Sequence, residues 1–160
     1  MKSLGGGILV FFCFGVEGEA QRLEARGPID YNALLRIGPD GRVTCYTGKI
    51  EMGQGIVTSL AQMLAEELDV SLGSVKMVMG DTELCPWDMG TFGSRSTKYF
   101  GPTLREAAAE AKAILIQLGA EHLKVPESRL LTKDGVVFDR ENEGHRVSYA
   151  TLTQGKRIER

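Results

Sequence analysis

The spacing of apolar positions changes several times along this chain. In "ALLRIGPDGRVTCYTG", residues 33–48, two short apolar runs flank Pro39-Asp40-Gly41. Proline presets a turn and glycine supplies a positive φ, so the pattern predicts two paired strands. In the second run Val43, Cys45 and Thr47 alternate with Arg42, Thr44 and Tyr46, a period of two. The period then lengthens. Val57, Leu60, Ala61, Leu64 and Leu68 form one apolar stripe, with Ser59, Gln62, Glu66 and Glu67 off it. A helix is expected over about 56–68. "DVSLGS" breaks it, and "VKMVMG", residues 75–80, reads as a further strand. Residues 81–102 have no clean period, and a loop so long and aromatic is usually functional or packed on a partner. A second helix is expected to open at Thr103, where Thr103 and Glu106 have capping-box spacing, with Leu104, Ala107, Ala108, Ala111, Leu115 and Leu118 as its stripe. Pro126 ends it. "LLTKDGVVF" predicts a hairpin with an Asp134-Gly135 turn, and "VSYATLTQG" a short helix capped by Ser148. The closing "KRIER" predicts no element. The sum is an α+β fold: a small mixed sheet with two main helices packed on one side.

Length and composition narrow the function. One hundred and sixty residues suit one domain or part of a larger one. A net charge of −2 supplies no basic field, which argues against nucleic acid as a partner. Cys13, Cys45 and Cys85 lack CxxC spacing, so a zinc or iron–sulfur site built from this chain alone is not expected. His122 and His145 are isolated and read as surface residues. Residues 1–20 resemble an export signal: Lys2, an apolar run from Ile8 to Val16, then Gly18 and Ala20 at −3 and −1 of a cut before Gln21. The run is too short to span a bilayer, and a buried N-terminal strand is the other reading. A twin arginine is missing from it, and would lie upstream if the start Met is placed too late. Residues 21–32, with Gly27-Pro28, read as a linker, leaving 33–160 as the domain. A periplasmic protein with no membrane span is expected.

Two loops carry candidate chemistry. The first is Gly53-Gln54-Gly55, where a strand gives way to a helix. Glycines let backbone approach a ligand, and a helix N-terminus exposes N–H groups that favour anions. A glutamine amide both donates and accepts, which suits a heterocycle such as a pterin or nucleobase. A plain strand-to-helix turn explains the triplet as well. The second is "GTFGSRST", where Thr91, Phe92, Gly93, Ser94, Arg95, Ser96 and Thr97 combine hydroxyls, backbone N–H groups and one guanidinium, the chemistry of an oxyanion site. Its spacing is not that of a Walker A loop. No serine elbow with a histidine partner is present, so nucleophilic catalysis is not expected. Asp81, Glu83 and Asp88 do not match an EF-hand and read as turn-capping acids.

Together, "IEMGQG", a helix, "VKMVMGDTELCPWDMGTFGSRST" and an alanine-rich helix resemble the molybdopterin-binding large subunit of the xanthine dehydrogenase/aldehyde oxidase family, most of all its isoquinoline 1-oxidoreductase beta-subunit type. The resemblance covers nearly the whole chain. It implies that Gln54 touches the pterin region and that Phe92, Gly93, Ser94 and Ser96 line the metal and pterin. It implies a cofactor, molybdopterin cytosine dinucleotide or a related pterin, held through its dithiolene rather than by protein ligands to molybdenum. It also implies hydroxylation of aldehydes or N-heterocycles with oxygen from water. Electrons would leave through an iron–sulfur subunit carrying 2Fe-2S clusters, and in periplasmic members through a c-type cytochrome. The family subunit is several times longer. Its GGGFG-type loop and its late catalytic glutamate have no match here, and Glu51 is not that glutamate. The chain is therefore expected to be an N-terminal piece, inactive without the remainder of the large subunit. The other function class that fits is a non-catalytic periplasmic module that binds a pterin or nucleotide, or contacts a partner subunit; the apolar helix faces would then be exposed.

Overall fold

The computed structural model describes residues 7–12, 33–154 and 157–159. The expected α+β class holds, with two sheets rather than one among the described residues. The larger is mixed and five-stranded, in the order β4-β3-β2-β1-β8. Its strands are β1 (Gly7–Phe12), β2 (Ala33–Ile37), β3 (Val43–Thr47), β4 (Val75–Met79) and β8 (Arg157–Glu159). β2 pairs antiparallel with β1 and β3, whereas β3–β4 and β1–β8 are parallel pairs. The β2–β3 register, Leu35 opposite Cys45, places the predicted turn where expected. A parallel pair needs a crossover, and helix α1 (Ile56–Glu67) supplies it between β3 and β4. The smaller sheet is an antiparallel meander of β5 (Leu130–Lys133), β6 (Val136–Asp139) and β7 (Asn142–Ser148). Asp134 and Gly135 both have positive φ, 50° and 73°, the conformation of a two-residue hairpin turn.

One face of the larger sheet makes the core. Ile8, Val10, Leu35, Ile37, Val43 and Cys45 pack there against α1 and the long helix α2 (Gly101–Leu123). Burial holds the Cys45 thiol well above its ordinary range, so it is an inert packing group. Leu9, Leu34 and Tyr46 form a small cluster on the opposite face. A short helix, α3 (Tyr149–Thr153), follows β7, and the Ser148 hydroxyl accepts from Thr151 N at 3.1 Å, the cap its sequence predicts. Tyr149 Oη donates to Leu68 O at 2.8 Å and ties α3 to the end of α1. Among the described residues no helix is long and apolar enough to cross a membrane.

Several expectations are corrected. Val57 is exposed, and Ile56 takes its place on the buried stripe with Leu60, Ala61, Leu64 and Ala65. The second helix does not open at a Thr103 cap. A π-helical turn, Ser96–Phe100, runs straight into α2, and Pro102 sits in its first turn, where the missing N–H costs no helical bond. The apolar helix faces are covered by the sheet and by each other, not left open. "RIE" near the C-terminus is a strand, β8, not an unstructured end. Residues 7–12, inside the stretch resembling an export signal, form β1 between β2 and β8, with Ile8, Leu9 and Val10 buried. The other residues of that stretch, Cys13 among them, and the linker 21–32 lie outside the described residues.

Candidate functional site

The site begins where β3 ends. Lys49 to Gly55 lead from the strand to α1, and Gly53 and Gly55 have φ of 92° and 77°. A Cβ built on either would meet nothing within 4 Å, so these glycines serve conformation and not close packing. Gly55 is the N-cap of α1 and has no side chain to cap with. Glu51 does that work: Oε1 accepts from Gly53 N at 2.7 Å and Gly55 N at 3.0 Å, and Oε2 from Val57 N at 3.0 Å. The anion position at the helix N-terminus, expected to be open to a ligand, is thus filled from within the chain. Gln54 is engaged as well. Its Oε1 accepts from Met52 N, and its Nε2 donates to Ile50 O at 2.9 Å. An amide has a second N–H and a second lone pair, and these remain for a ligand.

The N–H groups of Val57, then Gly55, hold the Glu51 carboxyl below the usual carboxylate range. A folded-state pKa that is depressed adds stability above the unfolded value, and that stability is lost as pH falls through the folded value. We therefore expect Glu51→Gln to lower the thermal midpoint at pH 7. The gap from wild type should close as pH drops below about 4.3, the ordinary glutamate value. Melts across pH 3–7 check this. A gap that stays constant with pH would show that the carboxylate charge is not what caps the helix.

The second loop faces the first across a cleft of about 580 Å³. Of the residues singled out by sequence, Gln54, Thr91, Phe92, Gly93, Ser94, Arg95, Ser96 and Thr97 all line it; Gly53 and Gly55 do not. Met52 and Ile56 also line it, and no sequence pattern marks them for that role. Gly93 and Ser94 have φ of 63° and 53°, which turns the loop back on itself. The Arg95 guanidinium lies 5.6 Å from the Phe92 ring centroid and 5.8 Å from that of Tyr99, within cation–π reach of both. Among the described residues it is the one ionisable side chain in the cleft lining. Ser59 Oγ and Thr97 Oγ1 are 3.3 Å apart, and Ile50 N donates to Thr91 Oγ1 at 2.8 Å, so both ends of the loop are tied to the first wall. Asp81 caps the turn after β4, accepting from Glu83 N and Leu84 N, and Asp88 accepts from Gly90 N. Both acids act as turn caps, as their sequence setting predicts. Among the described residues no cluster of His, Cys, Asp or Glu has metal-binding geometry. His122 and His145 are exposed.

A cleft with one fixed cation, four hydroxyls and a half-used amide fits an anionic polar heterocycle. The family model described as molybdopterin cofactor-binding domain matches residues 2–159. The chain belongs to the molybdopterin cofactor-binding domain family. It is 40% identical over 123 residues to a nicotinate dehydrogenase component of Pseudomonas putida, covering 77% of this chain. It is 31% identical over 134 residues to the beta component of isoquinoline 1-oxidoreductase from Brevundimonas diminuta, covering 79% of this chain. The solved structure of quinoline 2-oxidoreductase from Pseudomonas putida 86 matches 76% of the chain at a TM-score of 0.67 and 27% identity. That of a Cu,Mo-CO dehydrogenase matches the same share at 0.67 and 30%. The family expectation drawn from the two loops is thereby met. This molybdopterin cofactor-binding domain spans 10% and 16% of the two relatives' lengths, and 15% of each solved chain.

Proposed function

We propose that this domain forms one wall of the molybdopterin site in a molybdenum hydroxylase large subunit acting on an N-heterocycle or aldehyde. The observation that supports the reading is the cleft itself, whose lining brings together Gln54, with half of its amide uncommitted, and the Arg95 loop. When bound, the cofactor supplies the redox chemistry, with water as the oxygen source. The chain's own residues bind and orient it. Gln54 offers one donor and one acceptor to the pterin, and Arg95 with the Ser94, Ser96 and Thr97 hydroxyls takes the anionic part. Relatives named for nicotinate, isoquinoline and quinoline support an N-heterocyclic substrate. We include in the proposal the cytosine dinucleotide form of the cofactor and an iron–sulfur partner subunit carrying 2Fe-2S clusters. A c-type cytochrome acceptor and work in the periplasm belong to it too. Export rests on the composition of residues 1–20, and a cut before Gln21 would remove β1, so the proposal is of export with that strand kept.

A binding or interaction module is favoured by one observation: Met52 and Phe92, both in the cleft lining, stand 68% and 49% exposed. Such an apolar rim is a contact surface for more protein, which the enzyme reading requires too, in the remainder of the large subunit. Metal and pterin analysis of the chain co-expressed with its genomic neighbours separates the two. Near-stoichiometric molybdenum with pterin is expected, and Gln54→Ala should lower both by about tenfold, the scale of one or two lost hydrogen bonds. A stable complex without molybdenum would leave the interaction module as the function.

A further inference from the structure

Lys49 and Asp88 are not in the cleft lining, yet they join its two walls. Lys49 Nζ donates to Asp88 Oδ1 at 2.8 Å and to Gly90 O at 2.9 Å, and Gly90 N donates to the same Oδ1 at 2.7 Å. The two side chains are 4% and 1% exposed. Below them, a Cβ on Gly48 would lie 2.4 Å from Asp88 Cβ and 3.0 Å from Pro86 O, so residues 86–88 lie flat on the end of β3. As a source of stability the arrangement is poor. Burying two charges costs much of what their attraction returns, and Asp88 Oδ2 is buried with no hydrogen-bond partner. What it provides is position. Lys49 stands five residues before Gln54 and Asp88 seven before Arg95, and with Ile50 N on Thr91 Oγ1 the contacts fix one loop against the other.

We propose that the Lys49–Asp88 pair is a positioning latch that sets the Arg95 loop against the Gln54 loop. The ligand it serves rests on the cofactor reading above; the latch itself does not. Trp87, the chain's single tryptophan, adjoins Asp88 and is half exposed, so acrylamide quenching of the full chain reports the loop with or without cofactor. Lys49→Met leaves a buried carboxylate unpaired and should lower the thermal midpoint by about 10 °C. The double variant Lys49→Met/Asp88→Leu removes both charges and should melt within about 3 °C of wild type. Its Trp87 quenching should nonetheless rise roughly twofold as the segment opens. In the co-expressed complex its molybdenum content should fall about tenfold, the scale of one or two lost hydrogen bonds to the ligand. Wild-type quenching in a stable double variant overturns the latch, as does an unchanged midpoint in Lys49→Met. Should the double variant not fold, Asp88→Asn decides: raised quenching with unaltered far-ultraviolet circular dichroism supports the latch, and wild-type quenching overturns it. A wild-type complex without molybdenum sinks the cofactor reading and leaves the latch to the Trp87 result.

Discussion

Arg95→Ala should weaken the hold on molybdopterin by about 10–100-fold, the value of a hydrogen bond to a charged group at about 1.5–3 kcal/mol. Among the described residues Arg95 is the one ionisable residue lining the cleft, and its guanidinium is within cation–π distance of both Phe92 and Tyr99. On the proposed reading the arginine would meet the ligand with its rotamers already restricted by the two rings, leaving less ordering to be paid on binding. The Glu51 cap sharpens the expectation. The Gly53, Gly55 and Val57 amides are committed to Glu51 and so are not available to a ligand anion, which on the proposed reading leaves the charge to Arg95. Arg95→Lys should recover only part of the loss, because an ammonium lacks the planar fork and the stacking between rings. The thermal midpoint should move little, since the side chain is in a surface loop. Molybdenum and pterin content of the purified complex checks this. Full occupancy in Arg95→Ala would remove anion recognition from this cleft.

The two cleft loops are legible in the sequence because their signals are local. Glycines, hydroxyls and one arginine break a clear apolar period on either side, at residues 53–55 and 90–97. Hairpin β5–β6 is legible for the same reason, through Asp134-Gly135. β1 is ambiguous because an apolar run of this length serves equally as a buried strand or an export signal. β7 escapes pattern reading because five of its seven residues are exposed and none of those five is apolar, so no alternation marks it. The start of the second helix is misplaced by pattern because Gly101-Pro102 reads as a breaker, whereas proline in a first turn breaks nothing. Lys49 and Asp88 carry no local pattern at all: they are 39 residues apart and meet only because the 81–95 loop folds back on β3. Glu51 has no cap signature in sequence, and its role shows only once Gly53, Gly55 and Val57 are wrapped around it. Pattern identifies which segments matter, then, but the contacts that set one loop against the other are tertiary.

Phe100→Ala should cost about 3–5 kcal/mol and lower the thermal midpoint by roughly 10 °C. Phe100 is fully buried at the junction of the π-helical turn and α2, inside the cluster that joins both long helices to the sheet. Alanine would leave a cavity that backbone on both sides is too constrained to close, because the turn is anchored to α2 and the loop before it to the segment after β3. Phe100→Leu keeps most of the buried carbon and should cost less than half as much. The ring also sits close to the Lys49–Asp88 pair. Its centroid lies 5.8 Å from Lys49 Nζ, so the core closes the floor beneath the Lys49–Asp88 contact. Loss of the ring should therefore loosen the Arg95 loop as well as the core, and Trp87 quenching should rise in Phe100→Ala well below the melting transition. Midpoints of the two variants, with Trp87 quenching at about 20 °C below each midpoint, test both parts. A midpoint shift under about 3 °C would mean that the junction carries little of the core's stability. A large shift with unchanged quenching would mean that the core and the cleft loops are energetically separate, and that the latch holds without its floor.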